Sequence, residues 1–249
     1  GRAIDTVRVP GTMVVTGAAT FVGTPMANIF NATTQYNIGG NRVLSVAGNQ
    51  NVFAGVGAGQ SNTTGGFNAF FGSGAGFTNA GGDENSFFGY TSGRNNSSGG
   101  ANSFFGKNAG FNNTAGGSNS FVGRGSGYLN TLGNWNTFVG DEAGDTNTTG
   151  NNNTVIGMGA DLSTNNLNYA TAIGSGAVAT SSNTMVLGRN LDTVQVPGDL
   201  NVAGSITGTF NGTIATADNA LNLGGVPANQ YVVTTDPRMA DARNPLPNS

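Results

Sequence analysis

The chain has 249 residues, of which 43 are glycine and 8% are charged, and its formal net charge is −3. Globular domains carry about a quarter charged residues and roughly 7% glycine, so an ordinary helical or doubly wound α/β domain is excluded. The pI near 4.6 argues against nucleic acid as a partner, because nucleic-acid binding calls for clustered Lys and Arg. No apolar run approaches the ~20 residues that span a bilayer.

The residues that carry most enzyme chemistry are missing. The chain has no histidine and no cysteine, so it offers no Ser-His or Cys-His nucleophile and no zinc or copper site. The adjacent carboxylates Asp83-Glu84 and Asp141-Glu142 are expected on turns, as surface charge, because neighbouring strand residues point apart. We therefore expect no enzyme activity, no catalytic residue, no cofactor and no metal site.

The N-terminal segment, residues 1–40, is predicted to be a strand module. Residues Asp5–Gly17 alternate apolar and polar side chains around a Pro-Gly corner. This alternation is typical of a strand–turn–strand unit.

Residues 41–190 repeat every 17 residues. The motif is Asn, a small residue, Phe, Phe or Val, and Gly, followed by a second asparagine. The first asparagine column contains Asn51, Asn68, Asn85, Asn102, Asn119, Asn136 and Asn153. The second contains Asn62, Asn79, Asn96, Asn113, Asn130 and Asn147. A fixed short period of this kind predicts a solenoid.

Seventeen residues suit one narrow coil with two short strands and two tight turns. Stacked coils place each residue ~4.8 Å from its equivalent in the next coil. Both asparagine columns would then form ladders in which each amide bonds the amides above and below. For the second column, a role as simple turn former remains an equal alternative.

Each motif contains a doublet of adjacent apolar residues, such as Phe70-Phe71, Phe121-Val122 or Val155-Ile156. These doublets predict two apolar stripes on the same sheet. Successive strand residues point to opposite faces, so one member of each doublet faces the interior and the other faces outward. An outward apolar stripe six coils long is too large for a soluble monomer, which predicts burial against copies of the chain. The predicted self-association residues are Phe70, Phe71, Phe87, Phe88, Phe104, Phe105, Phe121 and Phe138.

The second strand of each coil is predicted to face solvent. Its variable position holds mixed side chains: Gln60, Phe77, Arg94, Phe111, Tyr128 and Asp145. Arg94 would lie between Phe77 and Phe111, where a guanidinium can sit over a ring. Lys107, Arg124 and Asp141 form another column that we interpret as exposed surface.

One stretch of the repeat resembles a known family. Residues Ala170–Gly188 shorten the interval to 14 and resemble the head repeats of YadA-like trimeric autotransporter adhesins. The 17-residue units resemble repeats of phage tail fibres and related secreted proteins. The resemblance covers residues 41–190 and implies an all-β, left-handed parallel β-roll in which three chains pack side by side.

Two segments follow the roll. Residues 191–212 form a second strand module, since Asp192–Gly204 matches Asp5–Gly17 almost residue for residue. Residues 213–249 are expected to form a short coil, with a weak helical pattern over Thr213–Leu223, and then an extended C-terminal arm. Because the two matching modules bracket the roll, they suggest head-to-tail contacts between molecules.

These observations support two functions. The first is a structural subunit of an extracellular homotrimeric fibre or head-to-tail filament, whose partner is the chain itself. The alternative is an adhesin or tail-fibre segment on a cell surface or virion that recognises a surface glycan. Its candidate contact residues are Phe77, Phe111, Tyr128 and Trp135. An ice-binding solenoid is disfavoured because Ala80 interrupts its threonine column.

Overall fold

The computed structural model describes residues 35–38, 41–45, 49–204, 222–223 and 226–227. Within these ranges the chain is all-β and contains no helix, hence none long and apolar enough to cross a membrane. The strands are β1 (Gln35–Ile38), β2 (Asn41–Ser45), β3 (Val52–Ala54), β4 (Ala69–Phe71), β5 (Ser86–Phe88), β6 (Ser103–Phe105), β7 (Ser120–Val122), β8 (Thr137–Val139), β9 (Thr154–Ile156), β10 (Asp161–Leu162), β11 (Thr171–Ile173), β12 (Val178–Ala179), β13 (Met185–Leu187), β14 (Asn222–Leu223) and β15 (Val226–Pro227).

A single sheet runs the length of the repeat, in the order β1-β2-β3-β4-β5-β6-β7-β8-β9-β11-β13. From β3 onward the neighbours are parallel, and each residue pairs with its equivalent one coil later, as in Phe70↔Phe87. The step shortens from 17 to 14 residues between Thr171 and Met185. The predicted parallel β-solenoid with 17-residue coils is confirmed.

The N-terminal end of the solenoid differs from the predicted boundary. The sequence predicts that residues 41–45 belong to the roll, but β2 pairs antiparallel with both β1 and β3. Parallel pairing begins at the bridge between Asn49 and Gly66. The segment 41–45 lacks the Asn-x-Phe-Phe-Gly motif, and the resulting hairpin lies along the edge of the first coil.

The expectation of two strands per coil is wrong for most of the roll. A second strand forms only in the last coils, where β10 pairs parallel with β12. Earlier coils have consecutive turns instead, closed by bonds such as Ala75 N–H to the Gly72 carbonyl (3.2 Å) and Asn79 N–H to the Gly76 carbonyl (3.0 Å). Gly76 has a φ of +56°, and a Cβ there would lie 2.4 Å from the Phe70 ring. The backbone passes directly over the ring and cannot stay extended.

The core is a column of stacked rings. Phe53, Phe70, Phe87, Phe104, Phe121 and Phe138 are each at most 1% exposed. Neighbouring ring centroids lie 4.7–4.9 Å apart with interplanar angles of 3–16°. Alanines such as Ala75 and Ala109 pack in the same core cluster. Burying each phenylalanine contributes about 2–3 kcal/mol, so this column dominates the stability of the coils.

The first asparagine column is buried but bonds differently from the prediction. The Asn68 backbone N–H donates to Oδ1 of Asn51 (2.7 Å), and Nδ2 of Asn51 donates to the Gly65 carbonyl (2.8 Å). Direct amide-to-amide bonds, at 3.1 Å, join only Asn85, Asn102 and Asn119 within the described coils. This column therefore ties side chains chiefly to backbone, which satisfies polar groups inside the coil.

The second asparagine column is the continuous amide ladder. Nδ2 of Asn96 donates to Oδ1 of Asn79 (2.7 Å), and the same contact repeats from Asn62 to Asn147 at 2.7–2.9 Å. Each amide also donates to the carbonyl three residues later, as from Asn96 to Gly99 (2.9 Å). The column thus combines both alternatives, ladder and turn former. It ends where the next coil has Thr164, and Oδ1 of Asn147 has no partner.

The flanking segments depart from the predictions where they are described. Residues 191–204 contain turns and bends but no strand, contrary to the strand–turn–strand expectation. β14 pairs antiparallel with β15, so the helical expectation for Thr213–Leu223 is wrong at its last two residues. Two predicted parts lie outside the described residues: most of residues 1–40, including the matching module Asp5–Gly17, and nearly all of the C-terminal arm.

Candidate interaction surfaces

The outward face of the long sheet carries a continuous apolar column, here called the outer stripe. It consists of Ala54, Phe71, Phe88, Phe105, Val122, Val139, Ile156, Ile173 and Leu187, which are paired in register along the sheet. Six of these residues are 36–44% exposed. The rings of Phe71, Phe88 and Phe105 stack at 4.8–4.9 Å, so their faces cover one another and their edges point to solvent.

The structure divides the predicted self-association residues into two sets. Phe71, Phe88 and Phe105 belong to the outer stripe. The others fill the interior, and copies of the folded chain cannot touch them: Phe70, Phe87, Phe104, Phe121 and Phe138. The predicted set names no aliphatic member of the stripe, although the doublets Phe121-Val122, Phe138-Val139 and Val155-Ile156 also predict one outward residue each.

The consecutive turns of the coils carry a further stacked column, formed by Phe77, Arg94, Phe111 and Tyr128. The Arg94 guanidinium carbon lies 4.8 Å from the centroid of the Phe77 ring, which confirms the predicted cation–π contact. The rings of Phe111 and Tyr128 stack at 5.2 Å. All four side chains are half-buried. Their flat faces stack along the solenoid axis, each against its equivalent in a neighbouring coil. Of the four candidate surface-binding residues, only Trp135 lies elsewhere and is strongly exposed, at 62%.

The predicted charged column lies on the surface. Arg124 forms ion pairs with Asp141 (2.8 Å) and Glu142 (2.9 Å), and hydrogen bonds to these carboxylates raise the pKa of the guanidinium. Glu84 and Glu142 sit on turns with φ of +59° and +54°, as expected for the adjacent carboxylates. Exposed ion pairs contribute little to stability.

A carboxylate pair forms where the second strand begins. Partial burial, the charge of Asp161 and a hydrogen bond with it raise the pKa of Asp145 to about 6. The hydroxyl of Thr146 donates to the Asp161 carboxylate. Asp145 is half-buried, although its column was expected to face solvent. No group of three or more acidic side chains that could hold a metal ion occurs in the described ranges.

One corner of every coil adopts the left-handed conformation without glycine. In the long sheet, the residue two positions before each strand from β3 to β13 has φ between +54° and +59°. This corner column contains Gln50, Phe67, Glu84, Ala101, Ser118, Trp135, Asn152, Tyr169 and Asn183. Three members are exposed aromatics: Phe67 at 53%, and Trp135 and Tyr169 at 62% each. Sequence reasoning missed this column because it has a fixed spacing but no shared residue type.

A third amide ladder supports this corner. Oδ1 of Asn134 accepts from the Gly117 N–H (2.8 Å), and Oδ1 of Asn151 accepts from the Asn134 N–H (2.9 Å). Oδ1 of Asn168 accepts from the Asn151 N–H in the same way (2.9 Å). Nδ2 of Asn134 also donates to Oδ1 of Asn151, and Nδ2 of Asn151 donates to Oδ1 of Asn168, both at 3.1 Å. The 17-residue spacing of Asn134, Asn151 and Asn168 was the signal that the sequence reading overlooked.

No family model, curated protein or solved structure matches this chain. The geometry defines a class, the parallel β-solenoid repeat proteins. The function of this chain within that class is inferred below from its outer stripe and its corner column.

Proposed function

We propose that this chain is a structural subunit of an extracellular fibre, assembled as a homotrimer of left-handed β-rolls. The observation that carries the proposal is the outer stripe. Nine stacked positions, eight steps of ~4.8 Å, give a column on the order of 40 Å long. Contiguous exposed apolar patches of this size mark interaction surfaces.

The chemistry of the sheet face favours a second copy of the same chain. The strands from β4 to β9 carry no charged residue, so none of them places a charge against a second copy of the chain. Beside the stripe runs a column of small hydroxyl residues, Ser86, Ser103, Ser120, Thr137 and Thr154, which permits close approach. Identical rods have identical coil spacing, so two stripes match along their whole length. The number of chains, three, comes from the family resemblance.

Light scattering coupled to size-exclusion chromatography tests this proposal. The wild-type protein is expected at about three times 24.9 kDa, or larger. Phe88→Asp combined with Phe105→Asp places two charges in the stripe and should give monomers that retain the β-rich circular dichroism spectrum. The matched control is Tyr90→Asp, which changes a 57% exposed ring outside the stripe and should leave the mass unchanged. A folded wild-type monomer at micromolar concentration would contradict the proposal.

The filament form depends on the two ends of the roll. The C-terminal end has an open cavity of about 510 Å³ lined by Val178, Val186, Leu187 and Arg189, among others. Val186, the last interior residue, is only half-buried there. Among the described residues β13 is the last strand of the long sheet, and the edge of such a strand can recruit further strands. Electron microscopy should show long filaments that become short trimers when residues 226–249 are deleted; filaments that persist after the deletion would exclude a role for the arm.

The second candidate function is receptor binding by an adhesin or a virion fibre. The observation that favours it is the set of exposed aromatics on the corner column, which the core does not use. Trp135 is the member that the sequence had already singled out.

A further inference from the structure

Four successive coils carry an alternating set of corner residues, here called the corner strip: Trp135, Asn152, Tyr169 and Asn183. Both aromatic members are 62% exposed, and neither contacts another aromatic ring in the described part of the chain. These rings therefore differ from the three stacked columns, whose faces are covered by the neighbouring coil.

The corner strip holds bulky side chains where the backbone disfavours them. Trp135 and Tyr169 both have φ of +55°, in the left-handed region. A residue with a Cβ pays roughly 1–2 kcal/mol for this conformation, and bulky residues are rare there. Asn or Gly would serve the turn better, and Asn does occupy it in the neighbouring coils. A strained backbone conformation beneath an exposed bulky side chain motivates a functional hypothesis.

The strip is rigidly supported. Asn134, Asn151 and Asn168 immediately precede three of its members and form the third amide ladder, with bonds of 2.8–3.1 Å. The corner backbones are also bonded between coils, as from Tyr169 N–H to the Asn151 carbonyl (3.0 Å). A platform fixed before binding loses little conformational freedom when a ligand arrives.

The polar groups of the strip suit a neutral, hydroxyl-rich ligand. The side-chain amide of Asn152 has no hydrogen-bond partner within the described residues, and it sits one coil from each ring. Residues 134–136, 151–153 and 168–170 include no charged side chain. Aromatic faces with a few placed polar groups are typical of ligand sites.

The spacing selects an extended polymer. Trp135 and Tyr169 are two coils apart, ~10 Å along the solenoid axis. In an extended polysaccharide, alternate sugar rings present the same C–H face at a comparable repeat, while the ring between offers hydroxyls to an amide. We propose that Trp135, Asn152 and Tyr169 form a linear binding site for one strand of a neutral polysaccharide running parallel to the solenoid axis.

This inference deepens the receptor-binding candidate and does not depend on self-association through the outer stripe. It gives that candidate a place and a class of ligand. The stripe variants Phe88→Asp and Phe105→Asp separate the two ideas, because they should abolish the trimer and retain polysaccharide binding by the monomer.

Tryptophan fluorescence gives a direct readout, because Trp135 is the only tryptophan in the chain. The full chain is titrated with cellohexaose, mannohexaose, xylohexaose and chitohexaose, and is run in native gels that contain the corresponding soluble polysaccharides. At least one neutral glycan should shift the emission to the blue, protect Trp135 from acrylamide quenching and retard the protein. A panel with no retardation and no spectral change overturns the proposal.

The variants Trp135→Asn and Tyr169→Asn replace each ring with the residue found at the next corner of the coil stack. Each should raise the Kd about tenfold or more and leave the melting temperature unchanged or higher. Asn152→Ala should raise the Kd severalfold. The control Phe67→Asn removes an equally placed ring outside the strip and should leave binding intact. The proposal would be overturned if Phe67→Asn lost as much polysaccharide affinity as the strip variants. It would also be overturned if only the trimer, and never the monomer, were retarded in the gels.

Discussion

The coils that contain phenylalanine and the last coils of the roll share one sheet and differ on the opposite side. Where Phe70 or Phe87 fills the interior, the chain has Gly76 or Gly93 above the ring, in a left-handed turn. Where Val155 and Ala172 take the interior position, the equivalent residues are Asp161 and Val178, which lie in β10 and β12.

The size of one interior side chain therefore sets the backbone conformation on the opposite side of the coil. A ring occupies the space that a Cβ would need, so only glycine fits and the chain turns. A smaller residue frees that space, and the chain becomes extended again. The second strand, which the sequence predicts for every coil, therefore forms only in coils whose interior residue is small.

The largest expected effect removes a ring from the stack. Phe87→Ala should lower the free energy of unfolding by about 3–5 kcal/mol, because it leaves a cavity between Phe70 and Phe104. Val155→Ala, the matched change in a coil with a small interior, should cost about 1–2 kcal/mol. Urea unfolding followed by circular dichroism measures both, and equal losses would show that the stack does not dominate the core.

The next effect tests the contact between glycine and the ring. A Cβ at Gly93 would lie 2.4 Å from the Phe87 ring, and φ there is +56°. Gly93→Ala should cost about 2–4 kcal/mol, from backbone strain plus the displaced ring. Gly159→Ala serves as control: its φ is +60° but nothing lies within 4 Å of the added Cβ, so about 1 kcal/mol is expected.

A rescue experiment sharpens this test. In a Phe87→Val background the added methyl group has room, so Gly93→Ala should cost about as little as Gly159→Ala. Strictly additive losses in thermal melts of the double variant would contradict the steric link between the two positions.

The smallest effect concerns the carboxylate pair at the junction of the two kinds of coil. Asp145 has a pKa of about 6 in the folded chain, against 3.8 for an unperturbed group. The folded state therefore binds this proton more tightly, and the free energy of unfolding falls as pH rises from about 4 to 6. Asp145→Asn should stabilise the protein at pH 7 by about 1 kcal/mol, allowing for solvent screening of a half-exposed group.

The pH profile of thermal melting checks this prediction. The gain from Asp145→Asn should shrink through about pH 4 and vanish near pH 3, where the group is protonated in both states. Asp199→Asn, which removes one carboxylate from an exposed residue, controls for the change in net charge. A gain that is as large at pH 3.5 as at pH 7 would assign the effect to something other than titration.

The amino-acid sequence is sufficient to predict the period, the parallel register and the inward and outward alternation at Phe87-Phe88. These depend on local rules: equivalent residues stack at the strand spacing, and successive strand residues face opposite sides. The contact between Arg94 and Phe77 followed from the same register. Family resemblance added the trimer, which remains a proposal.

The conformation of the other half of each coil could not be predicted without the folded structure. The turn over Phe70, the bonding of Asn51 to backbone and the left-handed corner at Trp135 all depend on how closely two stretches of one coil approach each other. That distance is set by the interior side chains and by the carbonyls within reach, and neither is visible in the periodicity. The 17-residue period already places Trp135, Asn152 and Tyr169 in one column, but only the folded coil shows that this column is a left-handed corner with exposed rings.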